Sequence, residues 1–263
     1  MIDLGRMSRA DLAAMHDAGN ELLDWQRILA KTGDSIIGQV LGREVPSEPA
    51  DWSHYPVGDI YDVVTHAQYF YHRHAAAARD RIGAREHGHF HTFMRPRGMP
   101  PGTRPLVMPE LAIADAPSQP IDPVSPPAPQ PNQGDGNDKF SHIVAISLDG
   151  AGQPTRLFTT NRWVTGETWY AAEDVIAMLD RFSIELARPS WPLNRWLCAL
   201  LRLYRGDIAE LLRERDVEIM SWRRRRRGKV HVFEDGRLEI PSSLDIDPAD
   251  RLRRVARALD RAA

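Results

Sequence analysis

The chain has one cysteine, three lysines and no long apolar run, and each scarcity removes a class of explanation. A lone Cys198 cannot make an intramolecular disulfide or a cysteine-cluster metal site. It lies in Trp196-Leu197-Cys198-Ala199-Leu200-Leu201, an apolar helix face where a thiol serves as a small core side chain. No apolar stretch approaches the ~18 residues that a membrane-crossing helix needs. The opening Met1-Ile2-Asp3-Leu4-Gly5-Arg6 lacks the basic-then-apolar layout of a signal peptide, so a cytoplasmic location is expected. Lys31, Lys139 and Lys229 stand among 34 basic residues, a skew that coding bias explains as readily as function. Three motifs are missing as well. There is no Gly-rich phosphate loop, no Gly-x-Ser-x-Gly elbow and no His-Glu-x-x-His helix, which argues against the common nucleotide-binding, α/β-hydrolase and zincin classes.

What is present is ordinary in bulk. With 263 residues, 42% hydrophobic and 27% charged, the chain is long enough for one large domain or a domain with an appendage. The net charge of −2 hides an uneven distribution, with 18 basic and 12 acidic side chains from residue 188 onward. Residues 8 to 31 read as a helix with Ser8 as N-cap and Leu12, Met15, Leu22, Leu23, Ile28 and Leu29 at helical spacing. A second helix is expected from about Ile60 to Ile82, on an apolar stripe of Ile60, Val63, Val64, Ala67, Phe70, Tyr71, Ala75, Ala78 and Ile82. Asp59 is its expected N-cap.

Strands are expected at Glu86 to Arg95, Phe140 to Leu148 and Thr155 to Arg162, the last two joined by a turn over Asp149-Gly150-Ala151-Gly152. Between the first two, residues 96 to 137 carry Met99-Pro100-Pro101-Gly102 and Pro126-Pro127-Ala128-Pro129-Gln130-Pro131. Such composition buries too little apolar surface to offset its ordering entropy, so a proline-rich, mobile insertion is expected. Helices follow at about Ala171 to Ala187 and Leu193 to Arg205, then a helical stretch, broken near Asp216, that reaches Arg227. A hairpin over Lys229 to Ile240, turning at Asp235-Gly236, and a last helix capped by Asp247 complete the chain. The fold class that results is α+β: a small antiparallel sheet with helices packed on one side, plus a C-terminal β-hairpin and helix. Residues 1–263 form a single domain in this reading, with 217–263 as a C-terminal subdomain.

The segment that carries chemistry is Glu86-His87-Gly88-His89-Phe90-His91-Thr92-Phe93. Alternate strand residues share a face, so His87, His89 and His91 are expected to point the same way. Adjacent same-face positions lie ~6.8 Å apart, so two of the three would ligate one ion and the third would serve as a base or proton shuttle. Neutral imidazoles suit a divalent iron, zinc or copper ion, and a haem would need one axial histidine in an apolar pocket. His142, on the strand face shared with Val144, Ile146 and Leu148, is the expected ligand from a neighbouring strand. Symmetry about the turn sets His142 opposite Asn161, Leu148 opposite Thr155 and Ile146 opposite Leu157. His74 falls on the apolar stripe of the expected second helix and is a further ligand candidate. Most of the ten histidines fall between His54 and His142. The bland alternative is a set of histidines bonded to ordinary polar partners on a sheet face.

Around this centre, Tyr71, Asn161, Arg162 and Trp163 are candidates for binding a small-molecule ligand or substrate. The run Arg223 to Arg227 invites a nucleic-acid or protein-interaction reading, but Glu214, Asp216, Glu218, Glu234, Asp235 and Glu239 surround it, so a solvated charge run is the better account. Tyr69-Phe70-Tyr71-His72-Arg73-His74, then Glu-His-Gly-His-Phe-His-Thr-Phe, then Phe140-Ser141-His142, resembles an uncharacterised bacterial protein family over roughly residues 50 to 215. That resemblance implies no activity and transfers no residue role. The functional expectation is therefore a histidine-rich sheet pocket serving a mononuclear metal-dependent enzyme, hydrolytic or oxidative. A non-catalytic protein binding a metal, haem or small ligand is the alternative.

Overall fold

The computed structural model describes residues 1–42, 53–73, 86–106, 139–226 and 231–262. Six strands form one sheet in the order β1 (His54–Tyr61), β2 (Ala67–Arg73), β3 (Glu86–Met94), β4 (Ser141–Asp149), β5 (Pro154–Thr159) and β6 (Ser242–Asp245). Every neighbouring pair is antiparallel. Seven α-helices accompany it among the described residues: α1 (Arg9–Lys31), α2 (Ile36–Leu41), α3 (Arg162–Thr165), α4 (Ala172–Leu179), α5 (Trp191–Leu203), α6 (Arg205–Arg225) and α7 (Pro248–Arg261). The α+β class is thus established, with helices against one sheet face.

That face is apolar by alternation. Tyr69, Tyr71, Phe90, Ile146, Leu148 and Leu157 join one cluster with Trp196, Leu197 and Leu200 of α5. Phe90 meets Trp196 at 6.0 Å between ring centroids, and the Tyr69 hydroxyl donates to Asn194 Oδ1 at 2.6 Å. The first and last helices are capped as their sequences predict. Ser8 Oγ accepts from Asp11 N, and Asp247 accepts from Asp250 N. Within β2–β3, Gly88 is required by close approach, since a Cβ there would lie 2.3 Å from the His72 carbonyl oxygen and 2.7 Å from the Tyr71 hydroxyl.

The expected helix at Ile60–Ile82 is instead two strands, β1 and β2, as far as Arg73; residues 74–85 lie outside the described residues. The stripe that suggested a helix includes Phe70 and Tyr71, aromatic residues that fit a pleated surface equally well. Asp62 makes the break. Its Oδ1 accepts from Val64 N and Thr65 N, and His66 takes a positive φ of 61°. Asp59 therefore caps no helix; it has φ 53° and accepts from Gln68 Nε2 at 2.9 Å.

Three later expectations also change. The helix expected at Ala171–Ala187 ends at Leu179. α6 runs unbroken through Asp216, whose carboxylate accepts the amide of Ala172 at the start of α4. In place of a hairpin over Lys229–Ile240, residues 231–240 hold a short 3-10 turn, Val232–Glu234, pinned by two hydrogen bonds from Asn161 Nδ2. The C-terminal strand is β6, paired with β5. Within the proline-rich 96–137 stretch, Pro96–Gly98 forms a 3-10 turn and residues 107–138 lie outside the described residues.

Candidate functional site

The opposite face of the sheet is built from different chemistry. Across it run His54 of β1, Phe70 and His72 of β2, His89, His91 and Phe93 of β3, Ala145 and Ser147 of β4, and Arg156 and Phe158 of β5. Phe70, Phe93 and Phe158 are buried, yet they stand outside the main apolar cluster. Their rings wall the imidazoles. His54 stacks on Phe70 at 3.6 Å, and Phe158 meets His89 edge-on at 5.2 Å.

Two bulges decide which histidines belong here. In β3 the pairing shifts between Glu86 and Gly88, so the alternation slips by one residue. Glu86 consequently joins the histidine face and His87 leaves it. Glu86 Oε1 lies 2.8 Å from His89 Nδ1, whereas His87 Nδ1 lies 2.8 Å from the hydroxyl of Tyr71 on the helix side. The expected common face of His87, His89 and His91 is thus reduced to His89 and His91. The second shift falls between His91 and Phe93 and leaves Ile143 and Val144 opposite Thr92. It turns His142 away from the face of Ile146 and Leu148 and onto that of Phe93 and His91. His142 does meet the β3 histidines, but by a route that strict alternation does not supply. The expected β4–β5 register holds at Ile146 and Leu157, while Leu148 pairs with Pro154 after a further shift.

The result is a row of imidazoles. Centroids are 5.5 Å apart for His72 and His89, 4.7 Å for His89 and His91, and 5.1 Å for His91 and His142. His91 Nδ1 lies 3.1 Å from His142 Nε2, and Thr160 Oγ1 lies 3.2 Å from His142 Nδ1. One proton fits between two neutral rings, so this chain has two orders. Either Thr160 donates to His142 and His142 to His91, or the direction reverses and His91 Nε2 carries the lone pair. Burial keeps both rings neutral. It lowers His91 well below the usual imidazole range, reinforced by His89 and His142, and lowers His142 to about 3, reinforced by Arg215 and His89.

Glu167 completes the buried end. Its Oε2 accepts from the His142 amide at 2.6 Å, while its Oε1 is buried with no hydrogen-bond partner. Burial raises its carboxyl to about 8, opposed by Arg215 and by the His142 amide. Alternation had no means of finding Glu86, Glu167, Ser147 or Arg156. Glu86 reaches the face through a bulge, and the other three arrive from distant sequence.

The remaining sequence candidates are placed elsewhere. Tyr71 is fully buried against the helices. Asn161 caps α3, Arg162 pairs with Glu234 at 2.5 Å, and Trp163 Nε1 donates to Leu238 O at 3.0 Å, so all three hold the 231–240 segment. His74 lies outside the described residues. Among the described residues, no three His, Cys, Asp or Glu side chains are grouped so as to hold a metal ion. In the arginine run, Arg225 bonds Glu218 at 2.5 Å and lies over Trp222, and Arg226 Nε stands 3.8 Å from Asp235; Arg227 lies outside the described residues. A cavity of about 380 Å³, lined by Leu106, Trp169, Ile219, Met220, Arg223 and Phe233, sits apart from the histidines. The Asp216 carboxylate on its wall is already taken up by Ala172 N and Arg215. No described helix is long and apolar enough to cross a membrane.

Comparison with known proteins gives one match. Residues 16–246 fit the family described as Domain of unknown function (DUF6969), and the chain belongs to that family. No curated protein and no solved structure matches it.

Proposed function

We propose that this member of the DUF6969 family is an enzyme that acts on a small molecule held against the histidine face, with His89 as its general base. The observation that carries this reading is the contact of Glu86 Oε1 with His89 Nδ1 at 2.8 Å. A carboxylate that takes the Nδ1 proton leaves the lone pair on Nε2, the tautomer a general base needs. Arg156 Nη2, 3.4 Å from the same carboxylate, supplies positive charge beside it. The neutral His91–His142–Thr160 chain next to His89 is suited to carry a proton away from the reacting group.

Imidazole nitrogen NMR tests the tautomer without a known substrate. His89 should appear as the Nδ1–H form near neutral pH and lose that preference in Glu86→Gln. An Nε2–H tautomer in the wild-type protein would remove the base.

A second reading keeps the metal expected from the sequence. Carboxylate-backed histidines orient their free nitrogen toward metals as well as toward protons. Iron, zinc or copper bound by His89 Nε2 with His91 or His72 would polarise a carbonyl or activate water. Elemental analysis of untagged protein separates the readings. About one ion per chain, lost on His89→Asn, would favour this one; a Soret band would identify haem; metal-free protein that takes up no added ion would discard it.

A further inference from the structure

Level with His89, the histidine face reaches solvent. His72, His89 and Arg156 lie on one cross-strand rung and are partly exposed, while His91, Ala145 and Phe158 on the next rung are buried. Among the described strand residues of this face, Arg156 alone carries a fixed positive charge. Its guanidinium is held but not used up. It lies 4.9 Å over the Phe158 ring, and its Nη2 stands 3.4 Å from Glu86 Oε2, longer than a usual charge-assisted bond. It makes no other hydrogen bond among the described residues. An arginine has five N–H donors, and Glu86 takes one at Nη2. Whichever Nη2 hydrogen is taken, one edge of the guanidinium keeps two parallel donors.

Other arginines of this chain are paired more fully. Arg205 forks onto Asp180 at 2.5 and 2.6 Å, and Arg237 forks onto Asp235 at 2.7 and 2.9 Å. Their side chains are 46% and 56% exposed, against 25% for Arg156. The two that water could satisfy are thus doubly bonded by the protein, whereas the less exposed Arg156 keeps an unfilled edge.

We propose that Arg156 binds the carboxylate of a small carboxylic acid, and that such acids are the substrate class of the His89 site. The substrate role rests on His89 acting as the base; the binding rests on Arg156 alone. A planar guanidinium edge matches the two oxygens of a carboxylate. Glu86 touches both groups, with Oε1 at His89 and Oε2 at Arg156, so an anion on the open edge sits in the neighbourhood of the base. The surrounding charges limit which anion fits. Glu86 stands on one side of Arg156, and exposed Asp245, its cross-strand partner on β6, stands on the other. Two carboxylates beside one guanidinium repel a dianion such as phosphate more than a monoanion.

The full chain is titrated with benzoate while the arginine Nε–H signals are followed by nitrogen NMR. The Arg156 signal is assigned by its loss in Arg156→Lys, which keeps the charge but not the two-donor edge. A saturable shift of that signal is expected, with the forked Arg205 and Arg237 unmoved. Benzamide, uncharged and of similar shape, should not reproduce it. Arg156→Gln should bind benzoate at least about tenfold more weakly, with a melting temperature that confirms its fold. The wild-type signal reports binding directly, so a variant that misfolds does not shelter the proposal. No saturable shift, or an equal shift with benzamide, overturns the carboxylate site, and tighter binding of inorganic phosphate overturns the monoanion class. The base is read separately. A failed titration with His89 in the Nδ1–H form removes the carboxylate and leaves the base. Benzoate binding with His89 in the Nε2–H form keeps the binding site and overturns its substrate role.

Discussion

The two faces of one sheet divide labour at adjacent residues. On β3, Phe90 enters the helix-side core beside Trp196, while His89 and His91 on either side of it stand among imidazoles and phenyl rings. On the helix side Tyr69 is matched by Asn194, while Trp196 Nε1 and the Tyr204 hydroxyl are buried without partners. On the other side, Ser147 Oγ and Glu167 Oε1 are buried without partners. Unmatched groups thus occur on both sides, and what sets the second face apart is its row of imidazoles with Glu86 against His89.

The largest effect should come from breaking the stabilising face. Phe90→Ala removes a ring that is fully buried between β2 and α5, and should cost about 3–5 kcal/mol. At roughly 2–4 °C per kcal/mol for a chain of this size, the melting temperature should drop by about 6–20 °C. His91→Phe on the opposite face keeps a ring of similar size and should change stability far less. Equal losses from the two variants in thermal melts would erase the distinction between the faces.

Glu167 sharpens the comparison through pH. Its folded pKa is raised from 4.5 to about 8, so the neutral form is favoured by the fold. That contribution is fully present below pH 4.5 and is lost as pH rises through 8. Glu167→Gln, permanently neutral, should therefore gain on the wild type between pH 5 and pH 8 by several kcal/mol at most, at about 1.4 kcal/mol per pKa unit. His142 has the opposite sign. Its folded pKa lies near 3, so its contribution holds above 6.5 and is lost as pH falls, in both proteins. Urea unfolding at pH 5 and pH 8 measures the difference, and a constant gap between the two proteins would contradict it.

Much of the stabilising face was legible in the sequence, and much of the histidine face was not. Ser8 and Asp247 announce α1 and α7, and the apolar run within Ser141–Asp149 announces β4. The Ile60–Ile82 stripe misled because its aromatic members Phe70 and Tyr71 suit a strand as well as a helix, and the deciding Asp62 turn is a hydrogen-bond pattern rather than a composition. On the histidine face the obstacle was register. A bulge slips alternation by one residue, and nothing in Glu86-His87-Gly88 or Ile143-Val144 marks the two that matter. Glu86 therefore looked like a residue of the wrong face and His87 like a residue of the right one. Ser147 and Arg156 gain their meaning only from cross-strand pairing.

The smallest effect is the most discriminating, because it compares two hydroxyls on neighbouring strands. Thr92 Oγ1 donates to Val144 O at 2.7 Å and accepts from Val144 N at 3.3 Å, filling the gap that the β4 bulge leaves in the ladder. Thr92→Val keeps the shape and strips both bonds, so it should cost about 1–3 kcal/mol. Ser147 Oγ makes no such bond, and Ser147→Ala leaves no group newly unpaired. Its stability should stay within about 0.5 kcal/mol of the wild type or rise. If calorimetry instead finds Ser147→Ala as damaging as Thr92→Val, the hydroxyl is a structural anchor and belongs with the stabilising face. A neutral result leaves a buried hydroxyl that the fold does not use.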